Sequence, residues 1–177
     1  MMNAPQVPAP CDRKDFMDAM SNAATGVGIV TTDGPAGRFG ITVSSMASVS
    51  ADPPLVLACI RADSPAAAAI VANGSLALNL LDGGQAAVAD CFAGRPGPTP
   101  AFDFDGADWS LAGGPAPLLE GAVAAFSCRL HTVHQAGSHL IVIGLVLAAR
   151  HRAGTPLLHV NRRYGIPADA RLAVPAG

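Results

Sequence analysis

Short apolar runs of β type, separated by turn residues and not by helices, constrain this chain more than any other feature. Val27-Gly28-Ile29-Val30-Thr31-Thr32 is one such run. Asp33-Gly34-Pro35-Ala36-Gly37 is turn chemistry and Phe39–Val43 resumes an extended run, so the spacing predicts a hairpin. Further strands are expected at Leu55–Ile60, Leu76–Leu81, Ala122–Val133, Leu140–Ala149 and Pro156–Val160, with a turn at 135–138 between the two longest. Helices are few and short. Asp12 caps one that runs to about Ser21, with Phe16, Met17 and Met20 toward the core. Ser64-Pro65 opens a second, which Asn73-Gly74 ends, and Gln85–Cys91 is a third. Strand and helix do not alternate regularly. The expected fold class is therefore mainly β with short helices: a closed or partly closed antiparallel barrel, not a doubly wound sheet.

One core is expected from 177 residues, of which half are hydrophobic and 14% charged. The domain is placed at residues 12–166, between loose tails at 1–11 and 167–177. So low a charged fraction also suggests apolar surface buried against a second copy. A net charge of -2 without clustered Lys or Arg argues against nucleic acid as a partner. No apolar run reaches the roughly 18 residues of a membrane helix. Cys11, Cys59, Cys91 and Cys128 form no C-x-x-C and no zinc spacing. The opening residues MMNAPQVPAP lack the basic and apolar regions of a signal peptide, so a reducing cytoplasm is the expected location.

Four stretches could carry chemistry. Thr42, Ser44, Ser45, Ser48 and Ser50 crowd hydroxyls into a loop before Pro53-Pro54. Hydroxyls and loop N–H groups suit a phosphate, with Arg38 and Arg61 the nearest cations. By composition alone, such a loop is more often a solvated connector. His139 follows the Gly137-Ser138 turn at the start of an apolar strand, where it could aim at a ligand or simply be structural. His131 and His134 do not read as a metal pair. Asn161-Arg162-Arg163-Tyr164-Gly165 could meet an anionic planar ligand at a barrel end, or be a solvated terminus. Asp90-Cys91-Phe92-Ala93-Gly94-Arg95 opens an irregular excursion over 93–117, and long loops inside compact domains are often functional. Gly26-Val27-Gly28 lacks the third glycine of G-x-G-x-x-G, and no Walker loop is present.

Taken in order, these stretches resemble the flavin reductase-like family, the reductase components of two-component flavin monooxygenases. The series is Ala24–Thr32, Gly40–Ser45, Ser48–Leu55, Asn79-Leu80-Leu81, Cys91–Gly94, Gly137-Ser138-His139 and Arg163-Tyr164-Gly165. The resemblance covers residues 15 to 165 and is most specific around 40–55. It implies an antiparallel FMN-binding split β-barrel and a homodimer. It implies that NADH or NADPH reduces FMN or FAD, with the reduced flavin passing to a partner monooxygenase. By the same likeness Thr42, Val43, Ser44, Ser45, Ser48, Val49 and Ser50 hold the flavin phosphate and ribityl chain. Cys59, Ser64 and Asn79 lie near the flavin, and Phe92, Ala93 and Gly94 line its pocket. His139 and Tyr164 match the nicotinamide side, with His139 the catalytic candidate, and Arg163 is a further cofactor-binding candidate. The chain departs from the family at Ser138, where an Asp is common, which leaves His139 less firmly oriented. Two other functions fit the same resemblance: reduction of another acceptor, such as a cob(II) corrinoid or a metal complex, and a flavin-binding electron carrier without catalysis.

Overall fold

The computed structural model describes residues 9–95, 97, 98 and 100–168. Its main sheet has seven antiparallel strands: β2 (Gly28–Thr32), β3 (Phe39–Val43), β4 (Met46–Ala51), β5 (Pro54–Arg61), β6 (Ser75–Leu80), β9 (Ala124–Ala136) and β10 (His139–His151). They lie in the order β3-β2-β6-β9-β10-β5-β4. The edge strands β3 and β4 are thus consecutive in the chain, joined only by Ser44 and Ser45. Seven flat strands would hold their edges roughly 29 Å apart at the usual spacing. The step from Val43 to Met46 spans at most about 11 Å. The sheet must therefore roll into a barrel whose seam lies between the edge strands β3 and β4. The expected mainly-β barrel is what the chain forms.

Smaller pieces close the ends. β1 (Thr25–Gly26), β11 (Leu158–Val160) and β12 (Arg163–Gly165) form one sheet, and β7 (Trp109–Ser110) pairs with β8 (Leu118–Leu119). The helix α2 (Pro65–Asn73) starts where Ser64 accepts from Ala66 N–H and stops at Gly74, whose φ of 67° is left-handed. It drives Ala67 and Ile70 into the barrel beside Val30, Val56, Ile60, Leu78 and Val142. The helix α3 (Ala86–Phe92) follows a 3-10 turn capped by Asp82. It packs Ala89 and Phe92 against Ile29, Leu119 and Leu157 in a second cluster. Strand β2 serves both clusters, Val30 inward and Ile29 outward, so all five of its residues are buried.

Two expectations are corrected. The hydroxyl-rich stretch is not a loop throughout: Met46–Ala51 is strand β4, paired with β5 through a bulge between Ser48 and Ser50. Pairing to a neighbouring strand overrides the low strand propensity of serine and alanine. The helix α1 (Arg13–Ser21) does form on its Asp12 cap, but it buries none of its residues. Phe16, Met17 and Met20 are exposed, because the helix is held through its other side, where Asn161 N–H donates to Ser21 O and Arg162 pairs with Asp18.

Candidate functional site

The open seam forms a cleft of about 770 Å³. That volume lies within the range of small-molecule and cofactor sites. Strand β3 supplies one wall, Arg38 through Val43, and the Ser44-Ser45 crossing continues it. Cys59, Ile60 and Arg61 from β5, and Ser64, Pro65 and Ala66 at the start of α2, supply another. Phe92, Ala93 and Phe102 contribute aromatic and apolar surface, and His139 stands at the rim.

Local bonds fix this frame. Cys59 N–H donates to Ser45 O at 2.9 Å, and Ser45 Oγ donates to Cys59 O at 3.1 Å. Thr42 Oγ1 donates to Ala89 O at 2.7 Å, which ties β3 to α3. Ser50 Oγ accepts from Asp52 N–H. Among the described residues the Ser44 hydroxyl has no partner, and it is exposed in the cleft. Gly40 lets the strand lie against Phe92: a Cβ there would stand 2.6 Å from its ring.

The cleft is cationic at its edges. Arg38 Nε donates to Asp33 at 2.7 Å, and its guanidinium lies 5.6 Å from the centre of the Phe104 ring. Arg61 pairs with Asp63 through Nε and Nη2. That guanidinium holds the Asp63 carboxyl below its ordinary value, with His139 adding to the effect. A guanidinium has five N–H donors, so each arginine keeps donors for an anion. The start of α2 adds the partial positive charge of a helix N-terminus. At the rim, Ser138 Oγ lies 3.0 Å from His139 Nδ1, and Ser138 O accepts from Ala62 N–H.

A second hollow of about 150 Å³ adjoins the first and shares Thr42, Val43, Ser44 and Ala93 with it. Tyr164, His159 and Arg95 line its far side. The Arg95 guanidinium sits 5.3 Å from the Tyr164 ring centre and pairs with Asp90 at 2.8 Å. Burial raises the Tyr164 hydroxyl above its ordinary value, against the lowering effect of Arg95.

The structure brings Thr42, Val43, Ser44, Ser45, Cys59, Ser64, Phe92, Ala93 and His139 into one cleft and Tyr164 into its annex. Ser48, Val49, Ser50, Gly94 and Arg163 line neither. Asn79 is fully buried and lines neither. It donates to Ile29 O and accepts from Leu119 N–H at 2.8 Å, bridging β2 and β8. Phe39 and Phe102 are additional lining residues that no quoted motif contained. Phe102 lies in the Gly- and Pro-rich excursion, where no periodicity marks a residue as facing anything.

Comparison with known proteins gives the family. The model of the flavin reductase like domain matches residues 20–167. The FMN reductase (NADH) RutF of Stutzerimonas stutzeri (strain A1501) is 38% identical over 161 residues, covering 90% of this chain and 91% of that protein. The NADH:FAD oxidoreductase SgcE6 of Streptomyces globisporus C-1027, solved with NAD and FAD fragments, superposes with a TM-score of 0.82 at 32% identity. That match covers 93% of this chain and 98% of SgcE6. A nitrilotriacetate monooxygenase component B homologue from Mycobacterium thermoresistibile superposes at 0.83 with 32% identity, covering 93% and 91% of the two chains. With its rolled seven-stranded sheet, its seam cleft and this likeness along most of its length, the chain belongs to the flavin reductase-like family.

Proposed function

We propose that this protein is an NADH-dependent flavin reductase that binds FMN in the seam cleft and supplies reduced flavin to a partner monooxygenase. The observation that carries this reading is the composition of the cleft. Free hydroxyl, helix N-terminus and guanidinium groups stand on walls otherwise built of Ile41, Val43, Phe92, Ala93 and Phe102. That donor set fits a ligand that is planar and apolar at one end and anionic at the other. The names of the relatives supply the nucleotide and the flavin: NADH and FMN for RutF, NADH and FAD for SgcE6. The monooxygenase partner rests on the component B homologue.

Each residue then has a task. Ser44 Oγ and Arg61 hold the phosphate, with the positive end of the α2 dipole beside them. Thr42, Ser45 and Ser64 keep their walls in place through bonds of their own. Val43, Cys59, Phe92 and Ala93 exclude water from the ring. A flavin held there by these residues would supply the two-electron redox chemistry, as acceptor of hydride from nicotinamide. The Ser138 contact engages His139 Nδ1 and leaves Nε2 as the ring atom that meets a ligand. Tyr164 and Arg163 belong to the nicotinamide side. Ser48, Val49 and Ser50, on an exposed edge strand, reach a flavin only from a second copy.

We also infer a homodimer in the cytoplasm. Phe16, Met17 and Met20 on α1 are 56%, 45% and 52% exposed, a side-by-side apolar set that a second copy would cover. No described helix is long and apolar enough to cross a membrane. Binding tests the site directly. FMN should bind about tenfold tighter than riboflavin, which lacks the phosphate, and Ser44→Ala with Arg61→Gln should remove that preference. Equal affinity for FMN and riboflavin in the wild type would sink the phosphate assignment.

A further inference from the structure

Phe102 stands apart from the aromatic cluster nearest it in the chain. Phe92, Phe104 and Trp109 pair with one another in the second cluster, ring centres 4.9, 5.5 and 5.0 Å apart. Among the described residues Phe102 joins no aromatic pair, is 52% exposed, and lines the seam cleft next to Phe92 and Ala93. A phenyl group left half in water contributes little to a core.

Yet the chain goes to some length to hold it there. Its backbone φ is 62°, in the left-handed region that a bulky side chain adopts only at a cost. Phe102 N–H donates to Cys91 O at 3.0 Å. The buried Cys91 thiol lies 3.3 Å from Pro100 O and 3.5 Å from Asp103 O, so the chain on both sides of Phe102 is tied to the end of α3. Gly94 completes the seat. Its φ is 70°, and a Cβ there would stand 2.9 Å from the tip of the Phe102 ring. The ring therefore rests on bare backbone. Backbone strain held by surrounding contacts tends to mark function.

The geometry points to Phe102 as an aromatic platform on which the planar ring of a cleft ligand stacks, a specificity-determining residue for flavin reduction. This rests on the flavin reading above. The expected ring is the isoalloxazine of FMN, and the nicotinamide ring has the same flat chemistry. Stacking on a fixed phenyl group distinguishes such ligands from non-planar molecules of equal volume.

The test uses the intact protein, with FMN affinity by equilibrium dialysis and the KM for NADH measured in parallel. Phe102→Ala should weaken FMN about tenfold, a typical loss for one stacked ring. Phe102→Leu restores bulk without a flat face and should not recover it. Phe102→Trp should recover affinity and quench the fluorescence of bound flavin through contact with the indole. If the loss falls on the KM for NADH instead, the platform serves the nicotinamide and the proposal stands. FMN affinity and NADH KM within twofold of wild type in both Phe102→Ala and Phe102→Leu overturn it. Should Phe102→Ala fail to fold, Phe102→Trp and Phe102→Leu decide, and unquenched bound flavin in the first together with an unchanged KM for NADH in the second overturns the proposal. A wild-type protein that binds neither FMN nor FAD is a different result, and it removes the flavin reading itself.

Discussion

Ser45 and Cys59 are joined twice, extending the β4–β5 pairing by one residue. The backbone N–H of Cys59 donates to Ser45 O at 2.9 Å, and the Ser45 hydroxyl donates back to Cys59 O at 3.1 Å. This pair fastens the crossing segment to β5 where the cleft begins. Ser45→Ala removes one bond of the two. At an exposed position that costs about 0.5–1 kcal/mol, read as a lower urea midpoint. FMN binding should weaken by more than this stability loss accounts for, because the neighbouring Ser44 loses its fixed position.

Gly40→Ala tests the floor of the cleft. The new Cβ meets backbone-fixed Phe92, fully buried, at 2.6 Å. Overpacking of this kind costs about 1–3 kcal/mol. Phe92→Leu in the same chain should return part of that loss, so the double-mutant cycle should show a favourable coupling. Additive effects on the urea midpoint would contradict the packing described here.

Asn79 acts through stability. Asn79→Leu strands the buried N–H of Leu119, which costs about 1–3 kcal/mol. The variant should unfold at clearly lower urea concentration. Whatever folded protein remains should bind FMN with nearly unchanged affinity, since Asn79 does not line the cleft.

How much of this was legible in the residues differs from element to element. Helix α2 announced itself because Ser64-Pro65 and Asn73-Gly74 are local signals, and local chemistry decides where helices begin and end. The β2–β3 hairpin was equally readable from its turn. Strand β4 was not. Met46–Ala51 has little strand propensity of its own, and only its hairpin pairing with the apolar β5, which begins at Pro54, makes it a strand. On α1 the apolar stripe of Phe16, Met17 and Met20 read as core, yet the structure leaves all three exposed, because a stripe carries no information on what it packs against. The seam cleft arose from strands whose adjacency no local pattern encodes. Its hydroxyls were found, whereas Phe102 lay in a stretch without period.

Cysteine labelling reports both burial and the cleft. Burial pushes the Cys128 thiol up to about 12, so almost none of it is thiolate at neutral pH. Cys11 is exposed, and Cys59 is part-exposed on the cleft wall. A disulfide reagent at pH 8 should modify Cys11 fastest and leave Cys128 intact until the protein unfolds. Adding FMN should slow Cys59 selectively. Equal protection of Cys11 and Cys59 would indicate an effect other than occupancy of the cleft.

Asp82 should make stability depend on acid pH. The N–H of Gly84 holds its carboxyl below the ordinary value, with Arg152 adding to this and partial burial opposing it. A carboxyl lowered in the folded state contributes stability above its unfolded value near 3.8, lost as pH falls through the folded value. Asp82→Asn should therefore lower the urea midpoint at pH 7 and have a smaller effect at pH 3. An undiminished difference at pH 3 would assign its role to the neutral capping bond alone.

The most direct test of the account is NADH oxidation by the purified protein as FMN is added. The rate should rise with FMN and saturate, with Phe102→Ala and Ser44→Ala shifting the half-saturating concentration upward. A rate that is the same with and without added flavin, from protein carrying no bound flavin, would contradict the reading of the seam cleft as a flavin site.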